Sequence, residues 1–159
     1  MKNIKKIMVA IDLSDYSQAT LRYAADLAAD LQAELTIVNV INQRDIDAYA
    51  RIAQMNSVLM GEDFVETRKR ERSERMQQLV ERCEHPQLTI KTVFRTGVPF
   101  LALLEAVQEE GADLLVMGAK GRSNLKGLFL GSTAEKTFRR SPVPVLSLRS
   151  SEEDKELQK

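Results

Sequence analysis

The sequence predicts an α/β protein, a three-layer, doubly wound sandwich on a five-stranded parallel sheet, and three observations carry that expectation. Short apolar runs alternate with segments of helical period along the chain. Those runs lack the in-and-out polarity of a half-solvated strand, so they suit strands covered on both faces. With 159 residues, the chain fits one core and is too short for two comfortable ones.

Strand one is Ile7 to Ile11, an unbroken apolar run ending at Asp12. Ser14 is placed to cap the next helix, with Asp15 in its first turn and Leu21, Ala24, Ala28 and Leu31 at helical spacing. Leu35 to Ile41 is the second strand, and Leu88 to Phe94, with Leu88, Ile90 and Val93 apolar, the third. Between them, Arg44 to Glu84 reads as one or two helices (Ile46, Tyr49, Ala53; then Met76, Leu79, Val80, Cys83), with a break at Gly61 and a charged turn at Arg68 to Arg75. Its eight basic and nine acidic residues are mixed, as on a solvated helix face. The cluster Val58-Leu59-Met60 within it reads as core.

Thr96-Gly97-Val98-Pro99 opens a helix through Leu101, Leu104 and Val107, which Gly111 closes. Asp113 to Met117 is strand four. A glycine-punctuated loop leads to Gly131, a helix runs from about Ser132 to Arg139, and Val143 to Leu148 is strand five. One domain therefore occupies residues 1–149, and residues 150–159, rich in Glu and Lys, read as a flexible tail. In the strand order 3-2-1-4-5 the winding reverses between strands one and four. A ligand then sits outside their carboxyl ends, with Asp12 and Gly118 facing each other across the crevice.

Composition narrows the function. Apolar residues make up 43% and charged residues 29% of the chain, an ordinary globular balance, and the formal net charge is zero. Neither nucleic acid nor an anionic membrane is an expected partner, and too few apolar residues precede Asp12 for a signal segment or a span, so the expected location is cytoplasmic. The single cysteine, Cys83, cannot pair within the chain and reads as a buried small hydrophobe on a helix. From Gly118 to Arg149, seven basic residues (Lys120, Arg122, Lys126, Lys136, Arg139, Arg140, Arg149) face one acid, Glu135, a local balance of +6 that suits a compact anionic ligand. A plainer alternative is that Arg139 and Arg140 complement a helix C-terminus.

The stretch that decides the chemistry is Met117-Gly118-Ala119-Lys120-Gly121-Arg122, followed after Leu130 by Gly131-Ser132-Thr133. Glycines let backbone approach phosphate oxygens and tolerate positive φ. A helix opening at Gly131-Ser132-Thr133 offers free N–H groups and two hydroxyls to an anion, and Lys120 and Arg122 add charge. The pattern is neither a P-loop nor the Gly-x-Gly-x-x-Gly of dinucleotide folds. Asp12, at the end of strand one, suits ribose hydroxyls; its plainer role is to cap the following helix, which Ser14 is placed to do instead.

These residues resemble those of the universal stress protein family. Gly118-x2-Gly121-x9-Gly131-Ser132 matches that family's ATP-binding motif, Val-Ala-Ile-Asp at 9–12 its first strand, Ala-Asp-Leu-Leu-Val-Met-Gly at 112–118 its fourth, and Ser-Pro-Val-Pro-Val-Leu at 141–146 its last. The resemblance spans nearly the whole chain and implies a Rossmann-like fold. It further implies that Asp12 binds ribose, that the backbone at Val40 and walls at Ala10 and Met117 hold adenine, and that Gly118, Lys120, Gly121, Gly131, Ser132 and Thr133 hold ribose and phosphates, with Arg122 beside them. ATP, ADP or AMP is the implied cofactor, with Mg²⁺ entering through the phosphates. The family also pairs through its last strand, and residues 143–148, as a sheet edge, present a hydrogen-bonding row that a second copy can cover.

The leading expectation is an adenine-nucleotide-binding stress-response regulator or sensor, a homodimer whose occupancy an unidentified protein partner reads. A slow ATPase or self-phosphorylating enzyme, with Ser132 or Thr133 as acceptor, is the catalytic alternative. Against it, the one histidine, His85, lies in a turn before Pro86 and no paired carboxylates frame the phosphate loop. A third alternative is a dimeric interaction module with a vestigial pocket.

Overall fold

In the computed structural model, which describes residues 3–55, 63–120 and 130–149, the two central strands are buried on both faces. These are β1 (Lys6–Ala10) and β4 (Leu114–Gly118). Beside them lie β2 (Glu34–Asn42), β3 (Ile90–Gly97) and β5 (Val145–Leu148), all parallel, in the order β3-β2-β1-β4-β5. Five helices join them: α1 (Ser17–Leu31), α2 (Gln43–Met55), α3 (Phe64–Glu81), α4 (Pro99–Glu109) and α5 (Ser132–Arg140). The expected sheet and strand order are both present.

Alternation along the strands divides the core in two. Ile7 and Val9 of β1, Leu35 and Ile37 of β2, and Leu114 and Val116 of β4 pack with Leu21, Ala24, Ala25 and Ala28 of α1 and Met76 of α3. Met8, Val38, Leu115 and Met117 point the other way, onto Leu103, Ala106 and Val107 of α4 and Ala134 of α5. The alanines of α1 let that helix approach the sheet closely. The helix α2 buries none of its residues and meets α3 through stacked rings of Tyr49 and Phe64, 4.4 Å between centroids.

Several boundaries differ from the expectation. The third strand starts at Ile90 and runs through Thr96 and Gly97, because pairing with β2 continues to Asn42↔Gly97; the helix behind it begins only at Pro99, with Val98 as its N-cap. Its buried face is Ala102, Leu103, Ala106 and Val107, which turns Leu101 outward, and Leu31 at the end of α1 is likewise exposed. The charged run from Arg68 to Arg75 is helix, not turn; Asp63 caps α3 by accepting from the N–H groups of Val65 and Glu66, and Arg68–Glu71 and Lys69–Glu66 pairs line its outer side. Cys83 is buried as expected but lies in the turn beyond α3, where its thiol donates to the Leu79 carbonyl. Burial raises the Cys83 pKa above its ordinary value, which keeps the thiol neutral. The last strand is the shorter Val145–Leu148, after Pro144. Gly61, the Val58-Leu59-Met60 cluster and the tail 150–159 lie outside the described residues.

Leu115 sits at the centre of β4 and is fully buried. Leu115→Ala is expected to lower unfolding free energy by about 2–5 kcal/mol, the transfer loss plus the cavity left behind, measured by urea denaturation against the unaltered chain.

Candidate functional site

Because α1 leaves β1 toward one face of the sheet while the chain leaves β4 toward α5 on the other, the connections diverge at the carboxyl ends of these two strands. A cavity of about 350 Å³ opens there, within the range of small-molecule sites. Of the residues expected to meet the ligand, Ala10, Asp12, Val40, Met117, Gly118, Lys120, Gly131, Ser132 and Thr133 all line it. Gly121 and Arg122 lie outside the described residues.

One side of the cavity is apolar. Ala10, Val40 and Met117 share the sheet face that packs on α4, and Leu103 and Pro99 of that helix complete an apolar slot. Leu103 and Pro99 add a wall that the sequence reading did not include, since α4 was read only as core.

Asp12 stands at the mouth of the slot, in the turn between β1 and α1. Its Oδ1 accepts the Ser14 N–H at 2.9 Å and the Ser17 hydroxyl at 3.2 Å. The expected Ser14 cap is not formed: Tyr16 occupies the N-cap position with no side-chain cap bond, and the Asp12 carboxylate organises the turn before the helix. Both bonds fall on one oxygen, so an ordering role and a ligand role can coexist on the same group. The turn is strained, with Leu13 at φ 61°, a left-handed conformation that costs a non-glycine residue about 1–2 kcal/mol.

At the far end, Gly118 is needed for closeness and not for unusual dihedrals. A Cβ there would stand 3.1 Å from the Lys120 carbonyl oxygen, a backbone atom that cannot swing aside. Positive φ among the described glycines occurs at Gly97 and Gly111, not at Gly118 or Gly131. The Gly131 N–H donates to the Ala119 carbonyl at 2.7 Å, which ties the N-terminus of α5 to the end of β4. Ser132, Thr133 and Ala134 then bring the first turn of α5 against the cavity.

The basic cluster is less concentrated than its sequence suggests. Lys136 and Arg140 lie over the Phe100 ring, Arg139 pairs with Glu135, and Arg139 and Arg140 stand in the last turn of α5, as the plainer alternative had it. Lys120 alone of the seven lines the main cavity among the described residues. Two other cations join it from the helical segment between strands two and three, Arg44 and Arg72.

Arg72 is the residue the sequence concealed. Only 9% exposed, it reaches from α3 over the end of β2, where its Nη1 donates to Asn39 Oδ1 at 2.9 Å and to the Val40 carbonyl at 3.1 Å. Fully buried Asn39 in turn donates to the Ile11 carbonyl at 2.7 Å. A charged network thus joins α3, β2 and the end of β1 beneath the slot. A signal was present: the stripe Met76, Leu79, Val80, Cys83, extended back one turn, lands on Arg72, where an apolar residue is due.

His85 is remote from the cavity, with Nε2 2.6 Å from Asp26 Oδ1 beside α1. No cluster of three His, Cys, Asp or Glu suited to a metal, and no helix long and apolar enough to cross a membrane, occurs among the described residues.

Residues 3–149 match the sequence profile of the universal stress protein family. Universal stress protein YxiE of Bacillus subtilis is 32% identical over 149 residues, covering 91% of this chain and 98% of that protein. Universal stress protein MJ0577 of Methanocaldococcus jannaschii is 26% identical over 157 residues, covering 91% and 94%. A solved structure of MJ0577 superposes with a TM-score of 0.76 at 22% identity, over 94% of this chain and 99% of that one. A universal stress protein solved in complex with cAMP superposes at 0.63 and 27% identity, over 94% and 100%.

Arg72→Ala would strip the donor from the buried Asn39 Oδ1 and from the part-buried Val40 carbonyl. A loss of about 1–3 kcal/mol in unfolding free energy is expected, read by urea denaturation, and Arg72→Lys should lose less.

Proposed function

The chain belongs to the universal stress protein family, and from that premise we propose that it is a cytoplasmic adenine-nucleotide-binding regulator that works as a homodimer. One observation carries the reading: an apolar slot, a carboxylate and a helix N-terminus, which match base, ribose and phosphate in kind, adjoin in a single cavity at the carboxyl ends of β1 and β4. Ala10, Val40, Met117 and Leu103 sandwich the adenine. Asp12 accepts from ribose hydroxyls. Gly118 and Gly131 let backbone close on the phosphates, which Ser132, Thr133, Lys120, Gly121 and Arg122 bind, and Mg²⁺ enters through phosphate oxygens.

A relative crystallised with cAMP lends the adenosine part of this reading support. Pairing is assigned to β5, which stands at the sheet edge with all four residues half-buried. The nucleotide-binding domain is residues 1–149, and its occupancy, as we read it, is what a protein partner senses.

Mass spectrometry of the small molecules released on denaturing the purified protein, beside calorimetric titration of the stripped protein, tests the reading. Recovery or micromolar binding of ATP, ADP or AMP is expected, and Asp12→Ala should weaken binding by about 1–3 kcal/mol. Nothing released, and nothing bound at millimolar nucleotide, would overturn it.

A further inference from the structure

The helix α3 meets the cavity wall through Arg72 and the turn that carries Asp12 through Arg75. Arg72 holds the Val40 carbonyl on the slot side, and Arg75, one turn on along the same face of α3, donates from Nη2 to the Leu13 carbonyl at 2.9 Å. Leu13 is the strained residue of the Asp12 turn, at φ 61°. Left to itself, a leucine relaxes out of that conformation, and Asp12, the residue before it, turns with it.

Two contacts oppose the relaxation. The Leu13 side chain packs against the core beneath α1, and Arg75 grips its carbonyl. The bonds that Asp12 Oδ1 accepts come from Ser14 and Ser17, within the turn and the first residue of α1. They order the turn internally and travel with it. Of the hydrogen bonds described at Asp12, Leu13 and Ser14, the one from Arg75 is the one that fixes the turn to a different helix.

We propose that Arg75 is a positioning residue for the nucleotide site: by holding the Leu13 carbonyl it keeps the left-handed turn in place and the Asp12 carboxylate directed at the ribose. The inference rests on the assignment of Asp12 to ribose. It gives a role to the charged face of α3 that mere solvation does not, and it makes the discrimination of the sugar depend on a residue that touches no ligand.

Arg75 is exposed, so Arg75→Ala leaves the core intact and folds. The test is calorimetric titration with ATP and with 2′,3′-dideoxy-ATP, which lacks both ribose hydroxyls. The unaltered protein should prefer ATP by about tenfold or more, the worth of hydrogen bonds to a carboxylate. In Arg75→Ala the affinity for ATP should fall toward that for dideoxy-ATP, dideoxy-ATP should bind within about twofold of its original affinity, and Arg75→Lys should restore part of the preference. In an Asp12→Ala background, Arg75→Ala should change neither affinity, since it acts through Asp12. If Arg75→Ala weakens both ligands equally, or leaves the preference whole, the positioning role is overturned while nucleotide binding stands. An unaltered protein that binds ATP without preferring it to the dideoxy form overturns the ribose assignment of Asp12 and this inference together; one that binds neither overturns the nucleotide reading itself.

Discussion

Everything at the candidate site follows from one constraint: β1 and β4 carry too much apolar surface to leave either face of the sheet in water. Met8, Val9, Leu115 and Val116 are fully buried, and they alternate between the two faces, so each face requires a helix. Chain leaving β1 covers one face with α1, while chain leaving β4 returns through α5 on the other. Two connections diverging from adjacent parallel strands cannot close over the strand ends between them. The crevice is a by-product of covering the sheet, and its first occupants are whatever residues end β1 and β4.

That origin explains why so much of the architecture and of the site could be read from the sequence. The apolar runs 7–11 and 114–117, and the largely β-branched run 35–41, are a signature of doubly covered strands. The residues that end them, Asp12, Val40 and Gly118, are then placed by topology with no knowledge of side-chain contacts. Third-strand boundaries were harder, because Ile90–Gly97 lies at the sheet edge with β2 on one side alone: it is half exposed, and its apolar content thins. Pairing with β2, and not composition, sets where it ends.

What stayed hidden was the traffic between elements far apart in the chain. Ser14 looked like the helix cap because capping is judged from residue type at a local position; the helix instead starts three residues later with no side-chain cap bond, and the Asp12 carboxylate orders the intervening turn through the Ser14 N–H and the Ser17 hydroxyl. Arg72 and Arg75 were missed for the opposite reason. Within a helix so uniformly charged, no single arginine stands out by composition, and the carbonyls they bind, Val40 and Leu13, lie 32 and 62 residues away.

The two arginines differ in how firmly they must hold. Arg72 is buried with its charge, so its bonds to Asn39 and Val40 offset a desolvation cost, and its removal takes a donor from the buried Asn39 Oδ1. Arg75 sits in solvent, where a single hydrogen bond adds little to global stability and competes with water. Little is what its place requires: the strain at Leu13 is of similar size to the bond that restrains it. One helix thus holds the Val40 end of the cavity through a buried charge and the Asp12 turn through a single exposed hydrogen bond, so the second is the weaker restraint.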